Sequence, residues 1–356
     1  AGAQGSACAL DLARSQGVAR VVLADLDVSQ LRVFLKPHVG KTIEPRAVDA
    51  KKASEVRAAM QDVDAVACAL PYYFHAPMAR LAIEAGAHFC DLGGNTDIVD
   101  EQIALSADAA AAGVSVVPDC GLAPGMVNIL AQGGIDAMDD TKSVRIFVGG
   151  LPQHPEPPLN YQVVYSLEGV LDYYTTPVLV LENGAVVEKE ALTGLESVDF
   201  PAPVGRLEAF LTAGGVSRMP YQYQGRIPYM AYKTLRYPGH AHLVKGMRDL
   251  GLFDVEPVEV HGHSVSPRDV FIAAVTPRLM DPEGRDLVAM RVIVEGTKGG
   301  RPKTVTYDLL DLYDEALGVT AMMRTTGYSL AAVARLQVEG VIRPGAHTPY
   351  ECVPVE

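Results

Sequence analysis

Hydrophobic and polar positions in the first half of the chain alternate between two patterns. Short apolar runs that predict buried strands are separated by alanine-rich segments with helical spacing. The predicted strands are 18–25, 64–71, 88–94 and 115–121, and the predicted helices are 53–62, 75–87 and 101–114. Because strands that alternate with helices form parallel sheets, this half predicts a doubly wound α/β domain of the Rossmann type.

The second half is richer in β pattern, proline and tyrosine. Its predicted strands are 143–150, 161–166, 177–188, 270–277, 287–296 and 304–310. Glu182-Asn183-Gly184 predicts a hairpin turn within the third of these. A helical pattern returns at 318–340, and such a late helix is expected to pack back onto the first domain. The second domain should therefore be mixed α/β, with a largely antiparallel sheet.

Composition and charge exclude several classes of protein. The formal net charge of −13, with no basic run, argues against a nucleic-acid surface. The sequence has no run of about 18 uncharged apolar residues, so it predicts no membrane span. The five cysteines form no C-x-x-C pair, which is typical of reduced thiols, so we expect a cytoplasmic protein. Among them, Cys120 is the candidate for a nucleophile.

The chain begins with a glycine turn. Gly2-Ala3-Gln4-Gly5 matches the last part of a G-x-G-x-x-G motif, and a helical segment follows directly. Such glycines let the backbone approach a pyrophosphate, and the helix N-terminus offers N–H groups to it. Since the strand and the first glycine that precede this turn in a complete motif are not in the sequence, we expect the native protein to have residues before Ala1.

Acidic residues follow the next predicted strand. Asp25 lies 20 residues after Gly5, where an acid holds the ribose hydroxyls of a dinucleotide. Its neighbours are Leu26 and Asp27, so a 2′-phosphate would meet two negative charges and no arginine. We therefore expect NAD as the cofactor. Asp49, after a third predicted strand, is a candidate for the adenine edge.

Several longer segments resemble a known family. They are 69–94, 118–131 with GLAPG, 148–171 with GGLP, 207–212, and 232–252 with KTLRYPGH. Together they resemble the saccharopine dehydrogenase family, including its lysine 6-dehydrogenase branch, over nearly the whole chain. The resemblance implies a dinucleotide-binding domain over 1–125 and 318–356, and a substrate-binding and dimerisation domain over 126–317. It also implies a homodimer that oxidises a lysine-derived amine.

The chain departs from the family pattern in an informative way. Residues 166–171 resemble the segment S-x-R-G-V-L of saccharopine reductases. Glu168 stands in place of the arginine, which in those enzymes helps to hold the glutamate arm. Their aspartate in GLDPG is Ala123, their cysteine before GGLP is Val148, and their S-S-Y turn lies within 91–94. A pocket that gains an acid suits a substrate with a free amine, namely lysine oxidised at its ε-amine with release of ammonia.

Site residues are assigned from this pattern and from strand ends. The catalytic candidates are Glu168, Tyr72 and Lys233, of which Glu168 either serves as a base on the ε-amine or holds the α-ammonium. Arg236 and His240 are expected to bind the α-carboxylate, since arginine offers a bidentate fork. Weaker candidates for substrate binding are Asp91, Asn95 and Asp119. The cofactor candidates are Gly2, Gln4, Gly5, Asp25, Asp49, Leu70, Pro71 and Gly125.

Two other functions stay open. One is a saccharopine dehydrogenase or related opine-type amine dehydrogenase, and the other is a nucleotide-binding regulatory protein without catalysis, against which the KTLRYPGH segment argues. No metal is expected, because 261–263 places two histidines on one face of a predicted strand with no further ligand at matching positions. A small amino acid is thus the expected partner, with no nucleic acid or membrane.

Overall fold

The computed structural model describes residues 2–163, 166–281 and 284–355. It divides into two compact units. Unit 1 comprises Ala1–Gly133, Asp314–Val319 and Met323–Glu356, and unit 2 comprises Gly134–Tyr313 and Thr320–Met322. The first unit is thus discontinuous in sequence, and its first segment ends at Gly133 rather than at the predicted residue 125.

The strands and helices follow one another along the whole chain. The strands are β1 (Val21–Asp25), β2 (Ile43–Ala47), β3 (Ala65–Cys68), β4 (His88–Asp91), β5 (Ser115–Val117), β6 (Asp140–Pro152), β7 (Val178–Glu182), β8 (Ala185–Lys189), β9 (Glu196–Asp199), β10 (Arg206–Leu211), β11 (Tyr229–Arg236), β12 (Val258–Val260), β13 (His263–Val265), β14 (Asp286–Lys298), β15 (Arg301–Leu312) and β16 (Gly345–Ala346). The helices are α1 (Ala3–Arg14), α2 (Ala53–Ala59), α3 (His75–Ala85), α4 (Thr96–Ile103), α5 (Ser106–Ala111), α6 (Met126–Asp136), α7 (Leu167–Thr175), α8 (Met219–Tyr223), α9 (His240–Asp249), α10 (Pro267–Leu279), α11 (Ala321–Met323), α12 (Ser329–Val338) and α13 (Pro349–Cys352). Two 3-10 turns (Val33–His38 and Tyr72–Phe74) and a π-helical turn (Arg324–Tyr328) complete the described elements.

Unit 1 is built on parallel strands, as the alternating pattern predicts. β1 pairs with β2, and β3, β4, β5 and β16 form a second sheet in the order β16-β5-β4-β3. Helix α1 contributes to two apolar clusters. Its Ala7 and Leu10 pack with β1, and its Cys8 packs with β4, β5 and helix α12. Each fully buried large side chain in such a cluster contributes about 1.5–3 kcal/mol.

Unit 2 contains a mixed, largely antiparallel sheet in the order β15-β14-β6-β11-β10-β9, with β7 joined to β11 and to β8. The one parallel pair among the described strands of this sheet is β6 with β11. Side chains of a strand alternate between its two faces. Leu235 and Ala209 therefore belong to the cluster on one face, while Phe210 packs with helices α7 and α9 on the other.

The α/β fold class and the sheet type of the second domain are confirmed. The hairpin at 182–184 is also as predicted, because Asn183 and Gly184 both adopt positive φ angles (52° and 78°) between β7 and β8. The helical pattern of 318–340 becomes α11, the π-helical turn and α12 in direct succession.

Three local predictions are wrong. The apolar run 270–277 lies within helix α10, because Ser266 caps it by accepting the Asp269 N–H and Pro267 occupies the first turn. The predicted helix 101–114 is two helices. The first, α4, begins earlier than predicted because Asn95 caps it, and it ends at Ile103 before α5 begins at Ser106. The predicted strand over 261–263 is interrupted, because His261 and Gly262 have positive φ angles and form the turn between β12 and β13. No strand is described within 161–163 or at 166, and residues 164–165 lie outside the described residues.

Gly327, in the π-helical turn, packs against the backbone of α1. A Cβ atom there would lie 2.8 Å from the Gln4 carbonyl oxygen and 2.9 Å from the Cys8 nitrogen. We expect Gly327→Ala to destabilise the protein by about 1–3 kcal/mol through overpacking.

Gly246→Ala, in helix α9, is the matched control. A Cβ atom at Gly246 meets nothing within 4 Å, so this change should stabilise by up to about 1 kcal/mol. Chemical denaturation of both variants measures the two effects, and equal midpoints would contradict the packing argument.

Candidate functional site

The glycine turn is the N-terminus of α1. Gly2 is the N-cap residue, and its carbonyl oxygen accepts the Ser6 N–H at 2.9 Å. The first N–H groups of a helix have no partner within the helix, so this end is suited to bind an anion. Gly5 brings the helix against the residue that follows β3, since a Cβ atom at Gly5 would lie 3.6 Å from the Ala69 Cβ. Gln4 lies between them in the first turn.

The end of β1 carries two carboxylates. Asp25 Oδ1 accepts the Asp27 N–H at 3.3 Å, and Asp27 Oδ1 accepts the Ser29 N–H at 2.8 Å. Hydrogen bonds from Ser29 lower the pKa of Asp27. Leu26, between the two acids, is 73% exposed. The end of β1 therefore presents an open, negatively charged edge.

Asp49 has a local structural role. Its carboxylate accepts the Lys51 N–H at 3.0 Å, and its own N–H donates to Glu55 Oε2 at 2.9 Å. Lys52 Nζ lies 3.9 Å from the same carboxylate. These contacts organise the turn before α2, and a role for Asp49 at the adenine edge stays a prediction.

Asp91 is fully buried at the end of β4, and its carboxylate is already occupied. Oδ1 accepts the N–H groups of Gly93 (2.7 Å) and Asp119 (3.3 Å), and Oδ2 accepts Gln102 Nε2 at 2.5 Å. His75 Nδ1 lies 3.3 Å from Oδ1. With three hydrogen-bond donors, a histidine ring nearby and no exposure, Asp91 supports the loops, and the expectation that it binds substrate is contradicted.

His75 begins helix α3 and is also buried. Its Nε2 lies 2.9 Å from the Leu70 carbonyl oxygen, which ties the loop containing Leu70 and Pro71 to the helix. Burial lowers the pKa of His75, but the Asp91 carboxylate raises it more, with help from Cys68, to about 11. His75 is therefore an imidazolium at neutral pH.

The loop after β5 is closed tightly. Asp119 has a φ of 61° and is 2% exposed, and a Cβ atom at Gly93 would collide with its carboxylate. Gly125 has a φ of 133°, and its N–H donates to Asn128 Oδ1 at 2.7 Å. A side chain at Gly125 would run into the backbone of Gly121. The loop thus places bare backbone at the carboxyl end of β5, where Gly125 remains a candidate for a close approach to a cofactor.

Cys120, on the same loop, is not a nucleophile. Its Sγ donates to the Val117 carbonyl oxygen at 3.1 Å, and the residue is 1% exposed. Burial raises its pKa well above the ordinary value, with further contributions from Cys90 and Asp91. It is therefore a neutral thiol in an apolar cluster.

Tyr72 and Asn95 lie in the loops after β3 and β4. Tyr72 is 39% exposed, and its Cβ would lie 3.6 Å from a Cβ atom at Gly94. Asn95 Oδ1 accepts the N–H groups of Asp97 and Ile98 and caps α4. Tyr72 is therefore exposed enough to meet a ligand, and Asn95 Oδ1 serves as a helix cap. Substrate contacts of either residue stay a prediction.

Unit 2 contains a buried polar cluster on the helix-covered face of its sheet. Arg236, the last residue of β11, is 4% exposed, and its guanidinium lies 4.7 Å from the centre of the Tyr161 ring. Its NH1 donates to the Leu235 carbonyl oxygen at 2.9 Å. Glu208 is directly opposite Arg236 in the β10–β11 register. The Glu208 carboxylate accepts the N–H groups at the start of α9, at 2.9 and 2.6 Å.

His240 belongs to this cluster as a neutral ring. Its Nδ1 lies 3.1 Å from the Leu159 carbonyl oxygen, and its Nε2 lies 3.1 Å from the Tyr174 hydroxyl. Burial and the positive charge of Arg236 lower the pKa of His240 to about 3. His240 therefore offers no positive charge to a carboxylate, which corrects the expectation that it shares this task with Arg236.

Lys233 and Glu168 occupy different surroundings. Lys233 Nζ forms an ion pair with Glu196 at 2.5 Å and donates to the Gly194 carbonyl oxygen. This pairing corrects the expectation of a catalytic lysine with a free amine. Glu168 lies in the first turn of α7 with an exposed side chain, while its carbonyl oxygen accepts Arg268 NH2. Its carboxylate is thus available at the surface of unit 2.

Sequence reasoning missed residues whose partners are far away along the chain. These are His75, Gln102, Tyr161, Tyr174 and Glu208. Glu208 gave the one available signal, since it is an acid within the apolar run 207–211 of strand β10.

Among the described residues, no group of three histidine, cysteine, aspartate or glutamate side chains is placed to hold a metal ion. Within the same residues, no helix has the length and apolar character needed to span a membrane.

Comparison with known proteins decides the family. Residues 1–117 match the saccharopine dehydrogenase NADP binding domain, and residues 121–355 match the saccharopine dehydrogenase C-terminal domain. The chain belongs to the saccharopine dehydrogenase family. The resemblance drawn from the sequence motifs is thereby confirmed, and the dinucleotide-binding domain of the family corresponds to most of unit 1.

Relatives within the saccharopine dehydrogenase family differ in length. The chain is 24% identical over 382 residues to the saccharopine dehydrogenase (NADP(+), L-glutamate-forming) of Schizosaccharomyces pombe, covering 86% of this chain and 83% of that protein. It is 28% identical over 223 residues to the mitochondrial alpha-aminoadipic semialdehyde synthase of Mus musculus, covering 58% of this chain. That match spans 23% of the mouse protein, so this chain corresponds to about a quarter of it.

Solved structures support the fold of this family member. The apo saccharopine dehydrogenase (L-Glu forming) of Saccharomyces cerevisiae superposes with a TM-score of 0.78 at 20% identity, covering 98% of this chain and 93% of that one. The homospermidine synthase of Legionella pneumophila, solved with NAD, gives a TM-score of 0.65 at 11% identity over 98% of this chain and 85% of that one.

The neutral state of His240 predicts a contribution to acid sensitivity. Between about pH 6.5 and 3, the unfolded chain protonates this histidine and the folded chain does not, so stability falls as the pH falls. In His240→Gln this contribution is absent, so the free energy of unfolding should fall less steeply as the pH falls, by about 1.4 kcal/mol per pH unit. Urea denaturation at several pH values measures it. The control is His242→Gln, an exposed histidine of the same helix, and an identical pH slope in both variants would refute the assignment.

Proposed function

We propose that this protein oxidises the ε-amine of L-lysine with NAD. NAD held by the N-terminus of α1 and Asp25 would accept the hydride of the Cε carbon, which leaves an iminium on the substrate. Water then adds to the imine carbon, and ammonia leaves. The resulting semialdehyde closes on its own α-amine to a cyclic piperideine carboxylate. The single observation that carries the dinucleotide part is the match of unit 1 to the family's nucleotide-binding domain, with an open helix N-terminus at Gly2.

The two acids after β1 support NAD over NADP. We propose that Asp25 accepts hydrogen bonds from the ribose hydroxyls of the adenosine half. A 2′-phosphate at the same place would be repelled by Asp25 and Asp27, two carboxylates linked to each other through the Asp27 N–H. The yeast relatives are named as NADP(+) enzymes, so this chain would differ from them in cofactor.

Arg236 supports binding of the substrate carboxylate. It places a permanent positive charge in a region lined by Tyr161 and Tyr174, where a charge–charge interaction is weakly screened. Arg236 also lowers the pKa of His240, after the larger effect of burial. The positive charge in this cluster is thus on the arginine, whose planar fork matches a carboxylate.

Glu168 supports a substrate with a free amine. It stands where the S-x-R-G-V-L motif of saccharopine reductases has arginine, and its side chain is exposed. A negative charge there repels the carboxylates of a glutamate arm and attracts an ammonium group. For hydride transfer the ε-amine must lose its proton, and a free ammonium of this kind has a pKa near about 10.4. Glu168 is therefore proposed either to hold the α-ammonium or to accept that proton.

A saccharopine dehydrogenase is the second candidate. It is favoured by the names of the fungal relatives that match most of the chain. A nucleotide-binding regulatory role without catalysis is the third, and it predicts dinucleotide binding without turnover.

Incubation with each pairing of NAD or NADP with L-lysine or saccharopine tests the proposal. We expect NADH and ammonia in equal amounts from NAD and lysine, and no turnover of saccharopine. Turnover of saccharopine alone would support the second candidate and overturn the first. Binding of NAD without turnover of either substrate would favour the third.

Two charge variants test the proposed roles of these acids separately. Asp25→Ser combined with Asp27→Ser should improve NADP binding relative to NAD by at least about tenfold, because it removes the repulsion of the 2′-phosphate. Glu168→Gln should weaken lysine turnover without changing NAD affinity, since Glu168 lies in unit 2.

We also propose a homodimer, as the family resemblance implies. Unit 2 exposes several apolar side chains along one stretch of sequence, including Leu250 (81%), Val255 (61%) and Val258 (50%). An isolated hairpin such as β12–β13 is marginally stable without a covering surface. Sedimentation equilibrium should give twice the monomer mass, and Val258→Asp should shift it to the monomer mass. A monomeric native protein would contradict this.

A further inference from the structure

Three loops of unit 1 converge on one buried carboxylate. They follow β3, β4 and β5, whose carboxyl ends lie side by side because the strands are parallel neighbours. Asp91 receives the N–H of Gly93 from the second loop and the N–H of Asp119 from the third. The Asp91 carbonyl oxygen also accepts the Cys120 N–H at 2.6 Å.

His75 connects the first loop to the same point. Its Nδ1 lies 3.3 Å from Asp91 Oδ1, and its Nε2 lies 2.9 Å from the Leu70 carbonyl oxygen. Nε2 faces a carbonyl oxygen, which only accepts, so Nε2 carries a proton. Nδ1 lies within ion-pair distance of the Asp91 carboxylate, and a proton on Nδ1 would give the ring a positive charge beside it. The His75 and Asp91 side chains are 1% and 0% exposed. The surrounding groups are Cys68 and Gln102, and the Asp91 carboxylate is the main influence that raises the pKa of His75.

The position of this pair relates it to one half of a dinucleotide. In a doubly wound sheet the dinucleotide lies across the carboxyl ends of the strands. The diphosphate belongs at the N-terminus of α1, and the adenosine half belongs beside Asp25 on β1. The loops after β3, β4 and β5 are therefore on the side that receives the nicotinamide half.

We propose that His75 and Asp91 form a permanently charged, buried pair that holds these three loops in the shape required by the nicotinamide half of the cofactor. Neither group is placed to exchange a proton with substrate, because both are buried and their polar atoms face protein groups. They are positioning residues. Removing one partner leaves the other as an uncompensated buried charge, and the loops should then shift. The inference rests on the proposed dinucleotide binding.

Comparing NAD with ADP-ribose separates positioning from a general structural role. ADP-ribose lacks the nicotinamide ring but keeps the adenosine and diphosphate. We expect His75→Gln to raise the dissociation constant of NAD at least about tenfold and that of ADP-ribose less than about threefold. His88→Gln, which changes a histidine at the opposite end of β4, should alter neither. Equal weakening of both ligands by His75→Gln, or no weakening, would overturn the inference.

A measurement on the native protein covers the case in which His75→Gln does not fold. Nitrogen-15 NMR of the histidine side chains at about pH 9 should show protons on both ring nitrogens of His75, whereas an ordinary histidine is neutral there. A singly protonated His75 ring would refute the charged pair. If the native protein binds neither NAD nor ADP-ribose, the proposed dinucleotide function fails and this inference fails with it.

Discussion

Buried carboxylates, each surrounded by hydrogen-bond donors, organise both units of this protein. Moving a carboxylate out of water costs several kcal/mol unless donors replace the lost hydration. Asp91 meets this requirement with loop N–H groups and Gln102, and the His75 ring lies beside it. Glu208 meets it with the N–H groups of Gly239 and Ala241 at the start of α9.

Asp286 repeats the arrangement in unit 2. It is 1% exposed, and burial raises its pKa, yet its two oxygens accept the N–H groups of Ala321 and Met322 at 2.7 and 2.9 Å. The start of a helix offers unpaired N–H groups, so one acid can fix the helix relative to the strand that carries it. The same constraint separates buried from exposed charges. Asp27 and Glu168 are exposed, whereas Asp91 and Lys233 are committed to partners.

The sequence allowed the architecture to be predicted because it depends on local periodicity. Parallel strands, the Asn183-Gly184 hairpin and the returning helix at 321–338 all leave patterns within a few residues of one another. The strand predicted over 270–277 is wrong because its apolar run was given more weight than the helix N-cap at Ser266 and the proline at position 267. The roles of Asp91 and Lys233 could not be predicted, since their partners Gln102 and Glu196 are identified by the folded backbone and not by spacing.

We propose that NAD binds unit 1 and that Arg236 of unit 2 binds the carboxylate of lysine. A crystal structure of the protein with NAD and L-lysine would locate both ligands. We expect the diphosphate at the N-terminus of α1, ribose hydroxyls on Asp25, and the lysine α-carboxylate on the guanidinium of Arg236. A lysine carboxylate bound away from Arg236, or a diphosphate away from Gly2, would contradict it.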